Sequence, residues 1–286
     1  MTIEENYANL FDCRADRTTP GLKDRSLSEF RLSAEPFSVQ WEGVTLRGNF
    51  YRGERENSKL VVFAHGYGAG HEAYLTEIDA LCKEGYTVCA FDYAGCVCSE
   101  GKMIGFHAAV SQMHAVLDEL EKRGRKEYFL VGHSWGGYVV ARCASRARAV
   151  VAIGGFQKPS DVLCGFLGED PSLFLEQKFG KEGNREVQAC KTPILAVQGD
   201  RDHTVPIGKS LYASGLSNVI PCLAEGKEHN PYNTVRAEAY LNEVLAKIPT
   251  LKEEEKEDFY AAIDYEKITE EDPVVMGKIF VFLKNA

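Results

Sequence analysis

Apolar residues in this chain fall into two alternating patterns. Leu60–Ala64 (LVVFA) is an unbroken apolar run, the form taken by a strand covered on both faces. Thr87–Phe91, Tyr128–Val131, Ala149–Ile153, Ile194–Val197 and Val219–Leu223 are segments of the same kind. Between them, apolar positions recur at helical spacing over 71–84, 106–123, 135–146 and 206–214. Strand and helix alternating through short connections predict an α/β protein with a mostly parallel, doubly wound sheet. Ahead of Leu60, Phe37–Glu42 alternates apolar and polar residues and Val44–Tyr51 follows a Glu42-Gly43 turn. This reads as an antiparallel hairpin at the sheet edge and brings the expected strand count to eight.

One connection breaks the rhythm. Several dozen residues separate the strand ending near Gly154 from the one starting at Ile194, with Pro159 and Pro171 as breakers and helical pieces at about 159–167 and 171–180. Long connections in compact domains are uncommon unless they serve a function, so 156–191 is read as a small helical lid over the carboxyl edge of the sheet. The expected organisation is an N-terminal arm at 1–35, a core formed by 36–155 and 192–286, and the lid between. Beyond His229 an amphipathic helix is expected over 234–248. The acidic stretch Lys252–Asp258, a solvated face, leads to a helix near 258–264, and a last helix starts at Pro273.

Composition removes several classes of function. The formal net charge is −9, and Lys and Arg are scattered without a basic stripe, so no nucleic-acid partner is expected. No apolar run approaches the ~18 residues of a membrane span, and Met1–Leu10 is polar and acidic, unlike a secretory leader. The nine cysteines are an odd number, and Cys82, Cys89, Cys143 and Cys222 sit inside apolar patterns. They read as small buried hydrophobes of a reducing, cytoplasmic protein. Cys96 and Cys98 form a C-x-C pair with no second pair or matching histidines, so neither metal nor cofactor is expected.

The chemistry concentrates at Leu130–Val139, LVGHSWGGYV. Gly132-His133-Ser134-Trp135-Gly136 fits G-x-S-x-G between a predicted strand and a predicted helix. A strand turning straight into a helix cramps the backbone at its tip, and glycines leave room where a Cβ would collide. The serine is thereby pushed out above the sheet edge at a helix N-terminus, where negative charge is favoured. The same residues also fit a simple turn with Ser134 as N-cap. A serine nucleophile needs a base, and the base needs a partner that fixes its tautomer. Two later strands end in Gly199-Asp200-Arg201-Asp202-His203 and in Glu228-His229-Asn230. Loops at the carboxyl ends of parallel strands gather on one edge, so Ser134, the Asp200/Asp202 pair and His229 are expected to meet there.

In these residues the chain resembles the α/β-hydrolase superfamily, of the serine esterase/lipase or serine-aminopeptidase-like kind. His65-Gly66-Tyr67-Gly68 is similar to its H-G-x-G oxyanion turn. Asp92–Gly101 is similar to its D-x-R-G-x-G-x-S-x-G loop, departing at Ala94 and Val97. Gly132–Gly136 is the elbow, and Gly199–Pro206 is similar to the acid turn G-x-x-D-x-x-V-P. The resemblance implies Ser134 as nucleophile, His229 as base and Asp202 as acid, with Asp200 the competing choice. It also implies an oxyanion hole from the N–H groups of Tyr67 and Trp135. The implied activity is hydrolysis of a carboxylic ester or thioester of a small to medium apolar acyl or aryl group through an acyl-enzyme. Phe156, Leu163, Phe166 and Phe174 of the lid are the expected pocket for this small-molecule substrate. A serine aminopeptidase or amidase is the alternative, with Glu169, Asp170 or Glu176 to hold a substrate amine; a non-hydrolytic binding protein or lyase is a further one. His65 is expected to pack the oxyanion turn, His133 to point into the core, and His71 and His203 to lie on the surface. The segment between His229 and the closing helix, 249–272 included, leaves open an extension of the lid side or a homodimer contact.

Overall fold

The computed structural model describes residues 2–11, 30, 32–55, 57–163, 167, 171–179 and 184–286. Helix α1 (Ile3–Phe11) precedes the hairpin β1 (Ser33–Trp41) and β2 (Val44–Arg52). Both turn residues have positive φ, Glu42 at 46° and Gly43 at 84°, the tight-turn geometry that matches strand twist. The chain continues through β3 (Leu60–Ala64), α2 (Leu75–Lys83), β4 (Thr87–Phe91), α3 (Phe106–Lys122), β5 (Tyr128–His133), α4 (Trp135–Arg142) and β6 (Val150–Ile153). Three short helices follow, α5 (Ser160–Leu163), α6 (Ser172–Phe179) and α7 (Arg185–Ala189), then β7 (Ile194–Gly199) and β8 (Val219–Ala224). The chain closes with α8 (Val235–Lys247), α9 (Glu253–Ala261), α10 (Tyr265–Ile268) and α11 (Pro273–Asn285).

The strands form one eight-stranded sheet in the order β1-β2-β4-β3-β5-β6-β7-β8. The β1–β2 and β2–β4 pairs are antiparallel and the remaining pairs parallel. The unbroken apolar runs are explained by burial on two faces. Leu60, Val62 and Ala64 of β3 join one apolar cluster, with α3 and α4, while Val61 and Phe63 join the other, with α2 and α11. Because β4 lies on one side of β3 and β5 on the other, the strand order reverses there. The carboxyl ends of β3 and β5 open into the crevice where ligands of such sheets bind.

Two sequence expectations change. The apolar periodicity of 206–214 predicts a helix, but the segment forms two separate 3-10 turns, Ile207–Lys209 and Leu211–Ala213. Between them Ser210 makes an antiparallel bridge to Phe156, and Leu211 N–H donates to Gly155 O at 2.8 Å, so tertiary pairing takes the donors a continuous helix would use. The acidic stretch before 258 is not a lead-in but the start of α9 itself, with Glu253, Glu254 and Glu255 in its first turn, where the helix dipole favours negative charge. Helices α8 to α10 form a satellite with its own small core of Val244, Ile263 and Ile268.

This satellite meets the body of the protein at Glu271. The residue bridges Asn233, its Oε1 has no hydrogen-bond partner among the described residues, and burial raises its carboxyl to about 7, Lys83 opposing and Asp79 adding. An unfolded glutamate releases its proton near 4.5, so between these values the folded state holds the extra proton and stability falls as pH rises. Glu271→Gln cannot ionise. Its stability relative to wild type is expected to grow between pH 5 and pH 8, by up to ~3 kcal/mol. Thermal unfolding at both pH values checks this; a constant difference contradicts it.

Candidate active site

Ser134 stands at the tip of the β5–α4 turn with φ 55° and ψ −115°, a backbone region that costs a non-glycine residue about 1–3 kcal/mol. Two glycines make the turn fit. A Cβ on Gly132 would lie 2.4 Å from Gly136 C, and one on Gly136 would lie 2.0 Å from Ala64 O. The Ser134 N–H donates to Ile153 O at 2.7 Å, and α4 closes its first turn with Tyr138 N–H to Ser134 O at 3.0 Å. The amide of Trp135 therefore belongs to the first helical turn, whose N–H groups have no partner within the helix.

His229 and Asp202 come together from the loops after β8 and β7. His229 Nδ1 and Asp202 Oδ2 are 2.8 Å apart. The other carboxylate oxygen, Oδ1, accepts the N–H groups of Thr204 and Val205, each at 2.8 Å, and Gln198 Nε2 donates to Oδ2 at 3.0 Å. Burial pushes the Asp202 carboxyl up, but the hydrogen bond and charge of His229, with those N–H donors, outweigh it and hold the group below the usual carboxylate range. Asp200 does other work: it is exposed, and its Oδ1 accepts the Gly226 N–H at 2.7 Å. The imidazole of His229 lies against Gly154, where an added Cβ would sit 3.4 Å from Cε1. Gly154 follows Ile153, the residue that anchors Ser134, so the serine and the imidazole share one stretch of backbone.

The turn after β3 lies beside the elbow. An added Cβ on Gly66 would be 3.6 Å from Ser134 Cβ and 2.7 Å from the Tyr74 hydroxyl. Buried His65 has Nδ1 at 2.8 Å from Gly66 O, and its Nε2 accepts the Tyr93 N–H at 3.2 Å; a backbone donor at Nε2 leaves the ring proton on Nδ1, to be donated to Gly66 O. In a trans peptide the C=O and the following N–H point opposite ways, so drawing Gly66 O toward His65 sets the direction of the Tyr67 N–H. The Tyr67 ring stacks on Trp135 at 5.2 Å, and Trp135 is buried in the core.

Of the residues expected to line the pocket, Phe156 is buried and stacks on Tyr138 at 4.8 Å, Leu163 is buried, and Phe174 is half-buried against Tyr7 of α1 at 5.5 Å. Phe166, Glu169 and Asp170 lie outside the described residues. Phe11 of α1 reaches into the same layer, against Tyr67, Phe106 and Trp135. An open cavity of about 270 Å³ is lined by Tyr67–Gly70 and Asn230, with Leu241, Leu245 and Ile268 among its walls. Helices α8 and α10 of the satellite thus border this cavity.

Three supporting residues escape sequence reasoning. Gln198 braces Asp202. Buried Glu238 accepts the N–H groups of Glu228 and Asn230, each at 2.8 Å, on either side of His229. His133 is buried, as expected, but its ring nitrogens bond to Tyr74 and to the His229 backbone. His203 is exposed. His71 departs from expectation: it is buried, with Nδ1 at 2.8 Å from Asp92 Oδ1, and joins β4 to the turn before α2. Asp92 also accepts the N–H groups of His71 and Cys98, which gives the Asp92–Gly101 loop a structural anchor. Among the described residues no cluster of His, Cys, Asp and Glu could hold a metal ion, and no helix is long and apolar enough to cross a membrane.

Residues 55–156 match the family model described as serine aminopeptidase, S33. That stretch holds the His65–Gly68 turn and the Gly132–Gly136 turn but not Asp202 or His229. No curated protein matches the chain. Among solved structures, the Pyrococcus furiosus esterase Pf2001 is similar, with 20% identity over 79% of this chain and 96% of that one and a TM-score of 0.61. An alpha-beta serine hydrolase homologue from Coxiella burnetii has 21% identity over 68% and 88%, with a TM-score of 0.54. The Pyrococcus horikoshii acylaminoacyl peptidase has 16% identity over 70% of this chain and 38% of its own, with a TM-score of 0.56. Sheet order and these likenesses together show the α/β-hydrolase fold.

Proposed function

Starting from an α/β-hydrolase fold, we propose that this protein is a serine hydrolase cleaving carboxylic esters or thioesters of small to medium apolar acyl or aryl groups. The observation that carries the reading is the 2.8 Å contact between His229 Nδ1 and Asp202 Oδ2, made at the sheet edge where the strained Ser134 turn projects. Asp202 keeps the proton on Nδ1, so Nε2 is free to accept the Ser134 hydroxyl proton as Oγ attacks the acyl carbon. The oxyanion that forms is held by the N–H groups of Tyr67 and Trp135, donors of a kind typically contributing ~3 kcal/mol in the transition state. The imidazolium then protonates the leaving group, and water attacks the acyl-enzyme by the same route in reverse. Leu241, Leu245 and Ile268 around the neighbouring cavity favour an apolar group, as does the apolar cluster holding Phe156, Leu163 and Phe174. Buried thiols such as Cys89 and Cys143 fit a cytoplasmic setting.

The match of 55–156 to the serine aminopeptidase model favours a second reading, a peptidase or amidase using the same three side chains. A fluorophosphonate probe is expected to label Ser134 and to leave Ser134→Ala unlabelled. p-Nitrophenyl butyrate is expected to turn over at least ~10⁴-fold faster with wild type than with Ser134→Ala. Turnover of aminoacyl p-nitroanilides in preference to the ester selects the second reading. No labelling and no turnover of either substrate overturns both, and tight ligand binding in that case points to a non-hydrolytic protein.

A further inference from the structure

His133, the residue before the proposed nucleophile, bonds to two other parts of the site. The Gly66 N–H donates to the Tyr74 hydroxyl oxygen at 3.0 Å, that hydroxyl is 2.9 Å from His133 Nδ1, and His133 Nε2 is 2.8 Å from His229 O. The partners fix every proton. A carbonyl oxygen can only accept, so Nε2 carries the hydrogen that faces His229. Nδ1 is then bare and accepts from Tyr74, whose oxygen has taken the Gly66 N–H. Tyr74 and His133 are both buried, so no water competes for these bonds.

We propose that His133 is a positioning residue for the reaction proposed above: its Nε2–H fixes the His229 backbone against the elbow, and through Tyr74 the same ring fixes the oxyanion turn. Base, nucleophile and oxyanion donor are thereby held in one register. The amides on either side of His229 are already clamped by Glu238, and the carbonyl is the anchor on the elbow side. The donor also has the right charge. Burial first, and then the neighbouring charge of His229, lower the His133 ring to about 3. It therefore stays neutral when His229, 4.9 Å away between ring centroids, takes up a proton; a cationic donor there would oppose that imidazolium.

The inference rests on the serine-hydrolase reading for its kinetic consequence but not for its structural one, and the two are tested apart. A glutamine amide reaches the place of the imidazole Nε2, whereas an asparagine amide reaches only that of Nδ1. His133→Gln keeps the bond to His229 O but gives up the one to Tyr74, and is expected to lose no more than about 10-fold in kcat. His133→Asn and His133→Leu are expected to lose roughly 100-fold in kcat, the scale on which misplacing a reacting group slows chemistry, with KM changed less than about two-fold. Equal kcat for the Gln and Asn variants, or a loss confined to KM, overturns the proposal in favour of simple core filling. Should these variants fail to fold, Tyr74→Phe, which removes the lock on Nδ1, takes their place and is expected to lower kcat with KM unchanged; an unaltered kcat there overturns the proposal. Nitrogen-15 NMR of the imidazole needs no activity and decides the structural part even if wild type turns over no ester. The Nε2–H tautomer of His133 is expected across pH 5–8, and an Nδ1–H or doubly protonated ring overturns the proposal.

Discussion

Asp202→Asn is expected to lower kcat by about 10⁴-fold, the scale set by losing the correct histidine tautomer in a serine triad. Asp200→Asn is expected to change it by less than about three-fold, since it stands outside the relay. The direction of the first effect follows from the acceptor pattern at the carboxylate. Oδ1 takes two backbone N–H groups, from Thr204 and Val205, and only a carbonyl oxygen can replace it. The asparagine NH₂ is therefore forced to the place of Oδ2, facing His229 Nδ1 and the Gln198 amide. His229 must answer by moving its proton to Nε2, and in that tautomer it cannot accept the serine proton. At Asp200 the asparagine carbonyl can keep the bond from the Gly226 N–H. Purified variants compared on a p-nitrophenyl ester, with circular dichroism as a folding control, check both outcomes. Equal losses at the two positions would contradict the assignment of the acid.

Gly136→Ala is expected to destabilise the fold by at least ~3 kcal/mol, at the upper end of what overpacking costs. The added Cβ meets Ala64 O at 2.0 Å, Ala64 C at 2.6 Å and His65 O at 2.8 Å. All three atoms are backbone where β3 runs into the His65–Gly68 turn, so no side chain can rotate away. Helix α4 would have to lift off β3, carrying Ser134 with it. Gly277→Ala is the control: it lies in α11 with nothing within 4 Å of an added Cβ. There the substitution removes only the entropic cost of a helical glycine and is expected to stabilise by about 0.5–1 kcal/mol. Urea denaturation of the two variants beside wild type measures the contrast.

Much of the site was legible because short motifs report local backbone demands. G-x-S-x-G records that neither Gly132 nor Gly136 has room for a Cβ, and the strands before Asp202 and His229 end within two residues of their apolar runs. The similarity to G-x-x-D-x-x-V-P points to Asp202 over Asp200, and it is Asp202 that lies within hydrogen-bond distance of His229, Asp200 bonding the Gly226 N–H instead. His133, Tyr74, Gln198 and Glu238 carry no such mark. Their partners lie far away in the chain, as with His133 and His229, 96 residues apart, and a buried histidine or glutamate on a predicted element looks like any other until its neighbours are known. His71 was misjudged for the same reason, since its partner Asp92 arrives from another strand.

The sheet, the tight turn at Ser134 and the order of the loops carrying Asp202 and His229 follow from the residue pattern alone. Burial on two faces and turns without room for side chains impose residue types position by position. Packing between distant segments settles that 206–214 is split by a bridge to Phe156, that α8 and α10 border the cavity beside Tyr67–Gly70, and that α1 packs against Phe106, Trp135 and Phe174. These outcomes depend on which distant surfaces exclude water together and which backbone groups find partners across the fold. Such choices are made between segments and leave no periodicity within any one of them.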